Sequence, residues 1–235
     1  MKQQKMIHAI VAEVRKRLDG EGTGHDWWHV WRVWQMARRI SKVEAPRPSA
    51  PEHGSVRGRH ARGINFFVVE LAALLHDIAD WKFHGGDDAI GSKEARKILQ
   101  YYGVHETIIV HVCDIVDRVT YKGAGVSTKQ KTIEGKVVQD ADRLDAIGAI
   151  GIARTFAYGG YKHRMIYDPK RKPILHASKK SYFNNTSATI NHFYEKLLLL
   201  TDRMNTRTAK KIARERHKFM QEYLKRFFKE WNGKL

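Results

Sequence analysis

Apolar side chains recur at helical spacing in several segments of the chain. In the clearest case, residues three or four positions apart form one apolar helical face: Trp27, Val30, Trp31, Trp34, Ala37 and Ile40. The closing segment 208–231 repeats this pattern among many basic residues, at Ile212, Phe219, Tyr223, Phe227 and Trp231. All five prolines lie within 46–51 and 169–173, so helices can run through the rest of the chain. The pattern predicts an all-α protein with seven or eight helices and no strand pair.

Local signals divide the chain further. Ser92 is expected to cap a helix that ends at Gly103. Residues 44–63 combine Pro and Gly with charged residues and lack apolar periodicity, which predicts an exposed loop. Residues 159–180 predict a second, basic and irregular loop. We expect both loops to belong to a single domain spanning 1–235.

Composition limits the class of protein. Hydrophobic residues make up 42% of 235 residues, enough to bury a core. The single cysteine, Cys113, excludes an intramolecular disulfide framework and a cysteine-rich zinc module. The first twenty residues lack a secretory pattern, and polar residues interrupt the most apolar stretch, 64–79. We therefore expect a cytoplasmic protein without a membrane span.

Net charge is the unusual feature. Lys and Arg exceed Asp and Glu by 18, and most of the excess lies in 160–180 and 202–234. The first explanation is attraction of a polyanionic small substrate, and the second is binding of nucleic acid.

Histidines with nearby acids are the best candidates for chemistry. Asp26, His29 and Arg32 lie along one side of the Trp-rich helix. The adjacent pair His76 and Asp77 ends the most apolar segment. Because an unpaired buried carboxylate is costly, that pair needs a compensating group. A divalent metal is one answer, held by one His, the His-Asp pair and one Asp of a later helix.

The later helix offers three carboxylates, Asp140, Asp142 and Asp145. Asp142 and Asp145 share a helical face, whereas Asp140 points elsewhere. The residue pattern alone leaves the choice among them open.

These motifs, in this order, resemble the HD superfamily of metal-dependent phosphohydrolases. The matching segments are D-x-x-H-x-x-R-V at 26–33, L-L-H-D-I-A-D at 74–80 and D-A-D-R-L-D-A-I-G at 140–148. More narrowly, the chain is similar to small bacterial and archaeal members that include nucleoside triphosphate pyrophosphohydrolases. The resemblance implies a helical HD-domain fold and the metal ligands His29, His76, Asp77 and Asp142.

The resemblance also implies an enzyme that hydrolyses a phosphoanhydride or phosphoester bond in a small nucleotide. Its first expectation is cleavage of a nucleoside triphosphate to monophosphate and pyrophosphate. Mn²⁺ is the first expectation for the metal, with Mg²⁺, Co²⁺, Ni²⁺ and Fe²⁺ as alternatives. The catalytic candidates are Asp80 and Lys82. The candidate substrate contacts are Arg32, Lys122, Arg143, Tyr158 and Lys162.

Several roles stay open from sequence. Asp26 can orient His29 or touch the reaction, and Asp145 can pair with a neighbouring base. Asp80 can act in catalysis or in a salt bridge at a helix end. We expect no second metal at His105 and His111. The competing functions are a metal phosphodiesterase and a nucleic-acid-binding protein, and the apolar helix faces favour a homodimer.

Overall fold

A computed structural model describes residues 3–20, 24, 26–45, 63–79 and 89–234. Asp80, Lys82 and most of the predicted loop at 44–63 lie outside these residues. Ten α-helices and no strand occur in the described ranges, which confirms the all-α class. They are α1 (Gln3–Arg17), α2 (Trp27–Glu44), α3 (Phe66–Leu75), α4 (Ile90–Tyr101), α5 (Glu106–Val119), α6 (Ile133–Asp145), α7 (Gly148–Tyr161), α8 (Lys179–Phe183), α9 (Asn191–Glu195) and α10 (Arg207–Trp231). A 3₁₀ helix, Leu197–Arg203, connects α9 to α10 across a short turn.

The predicted number of helices was too low because α8 and α9 have five residues each. A helix of that length shows less than two turns of periodicity, so no apolar stripe identifies it. Irregular chain fills 162–178, between α7 and α8.

The ends of the longer helices follow from capping. Asp26 caps α2 and Thr206 caps α10, each by accepting a backbone N–H of the first turn. The cap predicted at Ser92 is wrong, because α4 begins two residues earlier and the Ser92 hydroxyl donates to the Ala89 carbonyl. Gly103 does end α4, at a φ of 68° that favours glycine.

The core forms around α3. Eight of its ten residues are buried, and it packs against α1, α2, α5 and α6. The amphipathic helix α2 packs on α3 and α6 together. This arrangement brings the start of α2, the end of α3 and the last two turns of α6 to one place.

The C-terminal part closes over that core. α10 packs against α2, α6, α7 and the 3₁₀ helix, mostly through small or flexible side chains such as Ala209, Ala213 and Met220. None of the helices in the described ranges has the length and apolar composition that a membrane span requires.

Candidate metal centre and adjoining pocket

His29 and His76 face each other in the core. Asp26 accepts the His29 backbone N–H at 2.8 Å, which places His29 in the first turn of α2 with its side chain fully buried. His76 follows the last residue of α3, and its Nδ1 lies 2.9 Å from the Ala73 carbonyl oxygen. The two Nε2 atoms are 3.1 Å apart.

Two carboxylates complete the cluster. Asp77 Oδ2 lies 3.2 Å from His29 Nε2 and 3.7 Å from His76 Nε2. Asp142 Oδ1, from α6, lies 3.6 Å and 3.8 Å from the same two atoms. The structure therefore brings together the four ligands that the motifs predict.

The donor set fits a cation. A carbonyl oxygen can only accept, so His76 Nδ1 carries the proton and its Nε2 presents a lone pair. The Asp145 carboxylate accepts a hydrogen bond from His29 Nδ1 at 2.7 Å, so the proton of that imidazole is on Nδ1 and its Nε2 also presents a lone pair. Adjacent ligand atoms about 2.1 Å from one ion are about 3 Å apart, close to the Nε2 separation. Two lone pairs and two carboxylates facing one point need a positive charge between them.

The surroundings of His29 favour that charge. Burial and Arg154 act to lower the pKa of His29, but the neighbouring carboxylates of Asp145 and Asp77 outweigh them and raise it. The same carboxylates that favour a proton at this imidazole would favour a metal ion.

The three aspartates of α6 have separate roles. Asp142 faces the two histidines. Asp145 binds His29, Arg32 and Arg154, and although burial would raise its pKa, the hydrogen bonds from His29 and Arg32 hold it well below its usual range. Asp140 points away and accepts from the start of α10. The shared face predicted for Asp142 and Asp145 is therefore present.

A pocket adjoins the cluster and includes Asp77 and Asp142 in its wall. It encloses about 1190 Å³, counting its open mouth. Cationic and aromatic side chains of α6 to α9 and of the chain segments that flank these helices form much of the remaining wall. They include Arg143, Arg154, Arg164, Lys196, Tyr121, Tyr158, Tyr182, Phe183 and His192.

The predicted substrate contacts fall into two groups. Arg143 and Tyr158 line the pocket. Arg32 donates two hydrogen bonds to Asp145, and the Lys162 ammonium lies over the Tyr158 ring, 5.8 Å from its centroid. Lys122 lies between α5 and α6 and is not in the pocket wall.

Sequence reasoning missed most of the cationic wall. Arg154, Arg164 and Lys196 lie in no motif, and their chain separation carries no signal that they meet. The only local indication for Arg164 was its position in the basic irregular stretch.

The HD domain family model matches residues 27–147, more than half of the chain and the part that holds all four candidate ligands. The chain belongs to the HD domain family. The motifs predicted this membership, and the enzyme class that it implies is an HD-superfamily hydrolase.

Relatives match along nearly the whole chain. The chain is 35% identical to YpgQ of Bacillus subtilis strain 168 over 234 residues, and this match covers 99% of the chain and 97% of YpgQ. YpgQ has been solved in complex with ADP, and that structure matches with a TM-score of 0.70 at 33% identity over 98% of this chain and 97% of YpgQ.

Two further solved structures also match nearly the whole chain. A protein from Lactobacillus plantarum has a TM-score of 0.80 at 33% identity, over 99% of this chain and 98% of its own. An HD-superfamily hydrolase from Bacillus thuringiensis has a TM-score of 0.68 at 39% identity, over 98% of this chain and 99% of its own. The family resemblance therefore extends beyond α6 to the helices that build the pocket.

Proposed function

We propose that this HD-family protein is a divalent-metal-dependent hydrolase of small nucleotides, with a nucleoside triphosphate as first substrate and monophosphate plus pyrophosphate as products. Mn²⁺ is the first metal of the proposal. One observation carries it: Asp77 and Asp142 belong both to the donor cluster and to the wall of a pocket rich in cations. A phosphate chain in this pocket would lie next to the ion.

The cations suit a polyphosphate. Four of them in the described residues line the pocket: Arg143, Arg154, Arg164 and Lys196. A guanidinium binds phosphate oxygens in pairs, and a nucleoside triphosphate offers several such oxygens.

Arg143 gives the strongest single support. Its side chain is buried, and it donates to the Arg203 carbonyl and, at 3.1 Å, to the Thr128 hydroxyl. Its Nε–H has no acceptor in the described part of the chain. Burial lowers the pKa of Arg143, because its partners are neutral and the nearest acids compensate only in part. An anion in the pocket would stabilise this charge.

Aromatic rings offer a place for the base. Tyr182 contacts Tyr121 edge-on, at 5.4 Å between centroids, and stacks on His192 at 6.4 Å. Planar rings of this kind bind a nucleobase by stacking. The structure of the relative YpgQ with ADP supports a nucleotide as the ligand class.

The chemistry divides between ion and protein. A bound divalent ion lowers the pKa of its water and neutralises charge on phosphoryl oxygens. His29, His76, Asp77 and Asp142 would hold that ion, while Arg143 and Tyr158 would bind and orient the substrate. The catalytic candidates Asp80 and Lys82 lie outside the described residues and remain predictions.

The test is a substrate screen with mass-resolved products. Purified protein is incubated with Mn²⁺, Mg²⁺, Co²⁺, Ni²⁺ or Fe²⁺ and a panel of nucleoside tri-, di- and monophosphates and short oligonucleotides. We expect pyrophosphate release from triphosphates, and in ¹⁸O-water a single label on one of the two products identifies the phosphorus that water attacks.

Variants decide whether the site is responsible. We expect His76→Ala and Asp77→Ala to abolish turnover, and His8→Ala, at an exposed histidine of α1, to leave it unchanged. Products only from oligonucleotides would replace this proposal with a phosphodiesterase. No product from any substrate, with variants that behave like the wild type, would end the enzyme proposal.

A further inference from the structure

Asp145 is bound to the imidazole that faces the donor cluster. Its Oδ2 lies 2.7 Å from His29 Nδ1, and both side chains are buried. A carboxylate only accepts, so the proton of the neutral imidazole is on Nδ1 and the lone pair of Nε2 points at His76, Asp77 and Asp142.

Two guanidinium groups hold the Asp145 carboxylate in this orientation. Arg32, on α2, donates from Nε to Oδ1 at 2.7 Å and from a terminal nitrogen to Oδ2 at 3.0 Å. Arg154, on α7, donates to Oδ2 at 2.9 Å and also binds the Gly24 carbonyl. Because three helices converge on one carboxylate, it cannot rotate away from His29 without breaking several charged hydrogen bonds.

His76 has a different partner at its Nδ1, the Ala73 backbone carbonyl. A side-chain substitution cannot remove that acceptor. The orientation of His29 therefore depends on a side chain, whereas the orientation of His76 is built into α3.

We propose that Asp145 is a positioning residue for the metal site: it keeps His29 as the Nδ1–H tautomer and aims Nε2 at the ion. This inference rests on the proposed function only in requiring that the cluster bind a divalent ion. It assigns Asp145 no contact with metal or substrate.

Asp145→Asn is the sharpest perturbation. The amide nearly matches the carboxylate in shape, but one of its two positions becomes a donor. In one orientation the new NH₂ group faces the N–H donors of Arg32. In the other orientation it presents an N–H to His29 Nδ1, which shifts the proton of the imidazole to Nε2. Loss of such a carboxylate partner costs about 10- to 100-fold in metal affinity in comparable sites.

The matched control is Asp140→Asn. Asp140 is a buried aspartate on the same helix, but it binds the start of α10 and not a histidine. Mn²⁺ binding is measured by titration calorimetry and by electron paramagnetic resonance, at a temperature where both variants are folded by circular dichroism. We expect a 10- to 100-fold weaker Mn²⁺ affinity for Asp145→Asn and wild-type affinity for Asp140→Asn.

A second readout needs no variant at Asp145. Long-range ¹H–¹⁵N spectra of histidine-labelled wild-type protein report the tautomer, and His29→Gln identifies the His29 signals. For the neutral imidazole of His29 an Nδ1–H signature is expected, and an Nε2–H signature would overturn the proposal even if Asp145→Asn failed to fold. Equal Mn²⁺ affinity in Asp145→Asn and wild type would overturn it too.

The two proposals fail in different ways. Wild-type protein that binds Mn²⁺ and hydrolyses nothing contradicts the proposed function and leaves the role of Asp145 standing if the affinity difference is found. Wild-type protein that binds no divalent ion overturns both.

Discussion

Asp140 and Asp142, two residues apart on α6, should respond in opposite ways to the same substitution. The Asp140 carboxylate is fully buried and joins α6 to the start of α10. Oδ1 accepts the Asn205 backbone N–H and side-chain amide, each at 2.8 Å. Oδ2 accepts the Thr206 N–H at 2.7 Å and its hydroxyl at 2.8 Å.

The size of the effect follows from these four bonds. In Asp140→Asn one oxygen becomes an amide nitrogen, so up to two donors lose their acceptor. Each hydrogen bond to a charged group contributes about 1.5–3 kcal/mol. Burial raises the pKa of Asp140, outweighing its hydrogen bonds, so removal of the charge returns part of this loss. We therefore expect a loss of about 3 kcal/mol, which lowers Tm by about 6–12 °C for a protein of this size.

The assay pairs unfolding with metal binding. Asp140→Asn should melt early and bind Mn²⁺ like the wild type. Asp142→Asn, whose side chain is 24% exposed, should melt within a few degrees of the wild type and lose at least about tenfold in Mn²⁺ affinity. An unchanged Tm for Asp140→Asn, or weaker Mn²⁺ binding in that variant with normal binding in Asp142→Asn, would refute the division of roles.

Three further predictions test other parts of the structure. Burial raises the pKa of the Cys113 thiol, so dithionitrobenzoate should label the native protein far more slowly than the urea-unfolded protein. Fast labelling of the native protein would contradict the burial of Cys113. Arg143→Met should raise KM for the nucleotide roughly tenfold or more with a smaller change in kcat. Arg118→Met, at a partly exposed arginine outside the pocket wall, should leave steady-state kinetics unchanged. Glu195→Gln replaces the buried carboxylate that accepts hydrogen bonds from Ile174, Asn185 and Ser187. Limited proteolysis should therefore cut the segment 162–187 faster in this variant than in the wild type, and an unchanged digestion pattern would contradict the anchoring role of Glu195.

Much of the donor cluster could be predicted from the chain because its signals are local. The spacing of Asp26 and His29, the adjacency of His76 and Asp77, and the shared face of Asp142 and Asp145 are properties of single helices. Helical periodicity likewise predicted α2 and α10, because an amphipathic stripe of several turns is visible without knowledge of its partner.

Less local features required the fold. Asp145 could be predicted to pair with a base, but its three partners come from α2 and α7. The five-residue helices α8 and α9 escaped prediction because they are too short to show a period. The cap at Ser92 was wrong because a hydroxyl that donates to a carbonyl within the first turn has the same sequence signal as one that caps the helix.

The helical class and the residues with metal-ligating chemistry follow from residue types at short spacing, and the family follows from three short motifs in order along the chain. Tertiary packing places the imidazole lone pairs of His29 and His76 opposite each other and buries the Arg143 guanidinium away from water. It also decided that Arg154, Arg164 and Lys196 meet in one pocket beside Asp77 and Asp142. The reason is physical: spacing along a helix places side chains on a face, and only the burial of that face against other helices sets which charges share a space without water.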